Sequence, residues 1–234
     1  MSQTKAQLVS QVSDAQNNTT GGSNAGDSFT GTDALNNTLL GYNAGTAITS
    51  GDFNTAVGSS ALDANTTGGY NTALGLNALG SNTTASHNTA IGLAALAANT
   101  TGTANVSVGR AALEANTTAS NNTAVGYYAL LANTTGGSHT AVGHEALKSN
   151  TTSNSNTAIG RQTLYTNTTG SENVAVGLQA LYYNTTASNN TAIGSYALVA
   201  NTTGGYNTAV GYEALKTNTT AISNTAVGYI ALAL

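Results

Sequence analysis

The sequence predicts an all-β fold: a parallel β-solenoid, of the β-roll or β-helix kind, built from about twelve 17-residue coils. Three observations carry that expectation. The block Asn-Thr-Ala-Val-Gly, or a close variant, begins at Asn54, Asn71, Asn88, Asn105, Asn122, His139, Asn156, Asn173, Asn190, Asn207 and Asn224, with no insertion between units. Each unit keeps two aliphatic columns, as a stacked coil does when each repeat buries itself against its neighbours. The composition is also far from that of an average globular domain. Only 6% of the 234 residues are charged, against about 25% in ordinary domains.

The unit reads N-T-A-[VIL]-G-x-x-A-L-x-x-N-T-T-[GAS]-x-x, and a twelfth copy fits at Asn37 as Asn-Thr-Leu-Leu-Gly. Columns 2 to 4 form the strand. Column 4 is always Val, Ile or Leu, and column 2 exchanges Thr for Val at Val106 and Val174. Alternation places columns 2 and 4 on one face, and the exchange points to the interior. Column 3 then faces outward as a stripe of small residues: Ala56, Ala73, Ala90, Ser107, Ala124, Ala141, Ala158, Ala175, Ala192, Ala209 and Ala226. Such a stripe lets identical chains approach closely, so the expected assembly is a parallel homotrimer with the stripe on its axis.

The rest of the coil follows in order. Column 5 is Gly from Gly41 to Gly228, which fits a corner needing positive φ or close approach of a neighbour. Columns 6, 7, 10 and 11 vary freely and are expected to face outward, and segments such as Tyr212–Lys216 are read as a single helical turn. Column 9 is Leu in eleven units, a second core residue. Column 12 is Asn from Asn65 to Asn218, a residue that tolerates the left-handed conformation and can bond the copies above and below it. Column 15 alternates, running Gly68, Ala85, Gly102, Ala119, Gly136, Ser153, Gly170, Ala187, Gly204, Ala221. This implies a 34-residue super-repeat. Twelve coils at the strand spacing of about 4.8 Å make a rod on the order of 58 Å long, too narrow to house a buried active site.

Two regions result. Residues 37–234 are the solenoid. Residues 1–36 are an attachment segment: Leu8, Val12 and Ala15 share one helical face in residues 1–16, and an imperfect coil follows at Asn18–Gly22. At the other end the apolar Tyr229–Leu234 falls in mid-coil with no polar cap, an end expected to be shielded by self-association or docked on another structural protein.

Composition excludes several chemistries. There is no Cys, hence no disulfide framework, no Cys-ligated zinc and no thiol nucleophile. A net charge of −4 argues against a nucleic-acid binder. No apolar run approaches membrane-spanning length, and the first 16 residues lack the apolar stretch of a secretory signal. No Asp or Glu occupies a repeated column, so calcium does not stack the coils. The carboxylates are scattered and pair with no second acid. His87, His139 and His144 fall in three different columns and read as polar positions rather than metal ligands. The expectation is therefore a non-enzyme without cofactor or metal. Each Asn-Thr-Thr is formally a glycosylation acceptor, but a structural Asn ladder accounts for the column better.

Tyrosine is the one variable-column residue that points to binding. Tyr127, Tyr128, Tyr165, Tyr182, Tyr183, Tyr196, Tyr212 and Tyr229 crowd the C-terminal half, and exposed phenol rings suit stacking on sugars or docking on a protein. The structural alternative is that they fill gaps between coils or protomers.

The strand block followed by x-x-A-L resembles the SVAIG-x-x-A signature of head repeats in trimeric autotransporter adhesins, which are trimers of parallel β-rolls with a shorter period. The NTTG-containing 17-residue version, the leading MSQTKAQL, and the segment Asn37–Gly51 (NTLLGYNAGTAITSG) are similar to tail-fibre and other structural proteins of cyanophages. The likeness covers residues 37–234 and, weakly, the first eight. It implies a structural and adhesive fibre on a virion or cell surface. Such a fibre would contact itself, other virion or surface structural proteins at its ends, and a host surface glycan. The period of 17 and the lack of a following anchor or barrel favour the virion over the anchored adhesin. Two other functions compete. One is a self-assembling extracellular filament. The other is an ice- or surface-binding solenoid, which needs two outward Thr columns in register. Adjacent Thr66 and Thr67 point to opposite sides and column 2 is expected to be buried, so only one outward column remains.

Overall fold

A computed structural model describes residues 12–13, 16–29 and 33–233. Fourteen short strands form one sheet in chain order. The first, β1 (Val12–Ser13), pairs antiparallel with β2 (Thr19–Gly21). From β2 onward every pairing is parallel and in register. In the solenoid proper each strand covers columns 2 to 4, from β3 (Thr38–Leu40) and β4 (Thr55–Val57) to β14 (Thr225–Val227). Thr55 thus faces Thr72 and Ala56 faces Ala73, one coil along. The result is an elongated parallel β-solenoid of about twelve coils, an architecture consistent with structural repeat proteins. The helical face read into residues 1–16 lies mostly outside the described residues, and Val12–Ser13 within it is strand.

The strand faces the opposite way from the expectation. Column 3 points inward: Ala56, Ala73, Ala90, Ser107, Ala124, Ala141, Ala158, Ala175, Ala192 and Ala209 are completely buried, and Ala226 nearly so. Columns 2 and 4 point outward, with Val106 and Val174 at 38% and 37% exposure and Ile159 and Ile193 at 41%. The Ala stripe is therefore interior to each chain and is not a surface for trimer contact. The physical reason is width. The column 9 leucines, such as Leu62, Leu79 and Leu96, fill the coil's interior together with column 8 alanines such as Ala61 and Ala78, leaving room at column 3 for a methyl group only. At close packing a β-branched residue there would be forced off its rotamer.

No helix occurs among the described residues, so the helical turn expected after the Gly corner is absent. The backbone there alternates in hand instead. Ser60 has φ of 53° and Leu62 of 56°, with Ala61 between them outside the left-handed region, and the same positions repeat coil after coil. Each Leu donates its N–H to the column 8 carbonyl of the next coil, as from Leu62 to Ala78 O at 3.0 Å. A left-handed Leu costs about 1–2 kcal/mol, offset by its complete burial, which contributes about 1.5–3 kcal/mol. The corner glycine is as expected. Gly58 has φ of 136°, and a Cβ there would meet Gly75 O at 2.5 Å.

Two internal ladders of asparagine hold the coils in register. In column 12, Asn82 donates through Nδ2 to Asn65 Oδ1 (2.8 Å), Asn99 to Asn82 (3.0 Å), and so on to Asn218. These residues are buried from Asn65 to Asn201, and none is left-handed. The column 1 asparagines form the second ladder. The Asn71 N–H donates to Asn54 Oδ1 (3.0 Å), while Asn71 Nδ2 donates to the column 15 carbonyl of Ala85 (2.9 Å). The same carbonyl accepts from Asn82 Nδ2 at 3.0 Å. Both ladders thus close on one oxygen per coil. Buried amides paired this way leave no buried side-chain polar atom without a partner among the described residues, which is the condition for tolerating them inside.

The column 15 alternation has a structural counterpart. Where the column holds Gly, two successive amides share one carbonyl: Thr66 N–H and Thr67 N–H both donate to Thr83 O (2.8 and 3.3 Å). Where it holds Ala, as at Ala85, only the first does, from Thr83 to Thr100 O at 3.1 Å. In the Gly coils the chain lies so close to its neighbour that a Cβ on Gly68 or Gly102 would strike the carbonyl of Ala85 or Ala119.

Candidate functional site

The coil divides its surface into two unlike parts. The strand face, columns 2 and 4, carries no charged residue in any of its twelve rungs from Thr38–Leu40 to Thr225–Val227. The turn edge, columns 6, 7, 10 and 11, carries Arg110, Lys148, Arg161 and Lys216, which are all the lysines and arginines of the described residues. All eight candidate tyrosines lie on this edge. The side chains there are outward because the alternating-hand turn sends columns 8 and 9 inward and leaves their neighbours outside.

The structure brings the tyrosines together in three groups. Tyr127 and Tyr128 pack against each other with centroids 4.0 Å apart, and Tyr127 stacks on His144 at 5.3 Å. Tyr165 and Tyr182 stack almost parallel at 5.0 Å, with Tyr183 edge-on to Tyr182 at 4.7 Å. Tyr196 meets Tyr212 edge-on, and Tyr212 stacks on Tyr229 at 5.4 Å. Each parallel stack joins residues of one column on adjacent coils, so ring faces are covered by the neighbouring rung. The stacked rings consolidate the coil stack and leave fewer open platforms for sugar rings.

A polar cluster links the first two groups. Lys148 Nζ donates to Glu145 Oε1 (2.7 Å) and to Tyr165 Oη (3.3 Å), and lies over the rings of Tyr128 and Tyr165. Gln162 donates to the other Glu145 oxygen (2.8 Å), and Gln179 to Gln162 (2.9 Å). The hydrogen bond from Lys148 holds the Glu145 carboxyl below its ordinary range, and the same bond raises the Lys148 ammonium. Lys216 and Glu213 repeat the pair at 2.9 Å. This is a network of paired charges and amides on the turn edge.

Sequence reasoning missed a second aromatic row. Phe53, Tyr70 and His87, all in column 17, stack in succession with centroids 4.9 and 5.0 Å apart. Their common column was the available signal. Among the described residues no group of three or more His, Asp or Glu side chains is placed to hold a metal ion. His87 and His144 lie in ring stacks, and His139 is buried in the column 1 ladder. From Asn65 to Asn201 the Asn of each Asn-Thr-Thr triplet is buried, with Nδ2 engaged twice in Asn82, so the folded coil withholds these residues from glycosylation.

Compared with family models, curated proteins and solved structures, the chain matches none.

Proposed function

We propose that the chain is a structural and adhesive rod that associates with two further copies of itself through the strand face and displays the turn edge outward, as a tail fibre or similar appendage of a virion or cell surface. The observation that carries this reading is the strand face itself. Two columns of outward Thr, Val, Ile and Leu run without a charge along about 53 Å, eleven spacings of about 4.8 Å. Uncharged β-branched ladders of that length mark an interaction surface. The face is only two side chains wide, so column 2 of one protomer can meet column 4 of the next, a head-to-tail contact that closes as a ring. A trimer thereby moves from the interior Ala stripe to Thr55, Val57 and their equivalents. The location on a virion rests on the resemblance of the repeat to phage fibre proteins.

A double substitution in mid-rod tests the assembly. Val125→Arg with Val142→Arg places two charges on the strand face, where the side chains are half-buried and outside the core. The expected result is a monomer with an unchanged β circular dichroism spectrum. A particle mass equal to that of the unsubstituted protein would overturn the assignment of the face.

One further observation supports a second reading, ice or surface binding. The column 2 threonines, as well as the column 14 threonines such as Thr67, Thr101 and Thr135, are outward rather than buried. An outward Thr ladder at the rung spacing is one requirement of such a surface. This reading requires the strand face to stay open in solution, and a freezing-hysteresis assay on the monomer tests it.

A further inference from the structure

Column 6 holds Arg110, Tyr127, His144 and Arg161 on four successive coils, all exposed. The Arg110 guanidinium lies 5.7 Å from the Tyr127 ring centre, and Tyr127 stacks in turn on His144 with the planes 12° apart. Three rung spacings of about 4.8 Å separate Arg110 from Arg161, about 14 Å along the rod. Neither arginine makes an ion pair among the described residues, whereas Lys148 and Lys216 are each held by a glutamate. Of the two carboxylates on these coils' edge, Glu145 is already engaged by Lys148, Gln162 and His144, and Glu114, in column 10 of the Arg110 coil, makes no ion pair with either arginine. In a chain of net charge −4, this row holds the two cations of the edge that make no ion pair among the described residues.

We propose that this row binds an anionic polysaccharide whose carboxylate or sulfate groups recur along an extended chain. The inference rests on the reading of the turn edge as the displayed surface. A guanidinium presents paired donors that match a carboxylate or sulfate in two hydrogen bonds. The pocket lined by Leu215, Thr217, Asn218 and Leu232 lies away from this row, and the ligand lies along the edge rather than in a pocket. A linear polyanion parallel to the rod meets both arginines at once, and the second contact is then intramolecular. Between them lie the exposed rings of Tyr127 and His144, along which the sugar chain runs.

The test uses the full chain on sensor surfaces bearing dextran sulfate, polygalacturonate, neutral dextran or single-stranded DNA, at low ionic strength. Both anionic polysaccharides are expected to retain the protein and neutral dextran is not. Arg110→Gln with Arg161→Gln weakens retention about tenfold, the size expected for two exposed ion contacts, while Lys216→Gln leaves it unchanged. Retention on neutral dextran as strong as on the polyanions, an unaltered double variant, or equal retention on DNA each overturns the proposal. Light scattering on the same samples separates this outcome from that of the rod reading. An unsubstituted chain that assembles but is retained on neither polyanion condemns the arginine row alone, and an unsubstituted monomer that still binds polymer condemns the assembly alone.

Discussion

His139 and Ser153 change together in the coil where the column 1 ladder loses its asparagine. His139 Nε2–H donates to Ser153 O at 2.8 Å, as an asparagine Nδ2 does in other coils, and Nδ1 accepts the Asn156 N–H at 3.1 Å in place of Oδ1. The imidazole has no second acceptor for Asn156 Nδ2, and Ser153 Oγ supplies it at 2.8 Å. Ser is found at column 15 in this unit alone, as His is at column 1.

This arrangement requires a neutral imidazole. His139 is surrounded by Asn122, Asn150, Ser153 and Asn156, none of them charged, and burial lowers its proton affinity below the ordinary value. The unfolded chain, with a His pKa of about 6.5, then binds more protons than the folded one in acid. Stability from this site is fully present above about pH 6.5 and falls as the pH drops below it. His139→Asn is expected to flatten the pH dependence of the urea midpoint between pH 8 and pH 5. An identical slope in both proteins would contradict the neutral, buried assignment.

The column 12 ladder predicts a large cost for a small change. Asn116 donates to Asn99 Oδ1 and Ala119 O, and accepts from Asn133 Nδ2 (3.0, 3.1 and 3.0 Å). Asn116→Ala leaves Asn99 and Asn133 each short of a partner inside the coil. At about 1–3 kcal/mol for an unsatisfied buried group, the expected loss is about 3 kcal/mol by urea unfolding, with the repeat's other asparagines unable to compensate.

The two-coil alternation predicts an asymmetry. Gly102→Ala forces a Cβ against the Ala119 carbonyl and should cost more than 2 kcal/mol. Ala119→Gly removes only a methyl group and some backbone restriction, about 1 kcal/mol. Equal costs in thermal unfolding would show that the alternation is inherited rather than structural.

Much of the coil was legible because a repeat displays its constraints column by column. The Gly58 corner, the Leu62 core position and the Asn65 ladder all followed from residue type and period. The orientation of the strand did not. Ala56, between Thr55 and Val57, looks like a surface contact if Val is taken for core, and alternation alone cannot choose the face. What decides it is the volume of Leu62 and Ala61 inside a narrow coil. The left-handed conformation of Leu62 left no signal either, since its side chain disfavours that region and is held there by burial and by the bond to Ala78 O. On the turn edge, the period assigns the eight tyrosines to columns 6, 7, 10 and 11. It did not show that Tyr165 and Tyr182 cover each other's faces, which depends on rung-by-rung register.

The mass of the unsubstituted protein in solution, by light scattering behind a sizing column, tests the account's central claim most directly. A rod assembled through the Thr55–Val57 face gives a particle of three times 23.1 kDa. A particle of 23.1 kDa would contradict it and leave the strand face open as a surface-binding array.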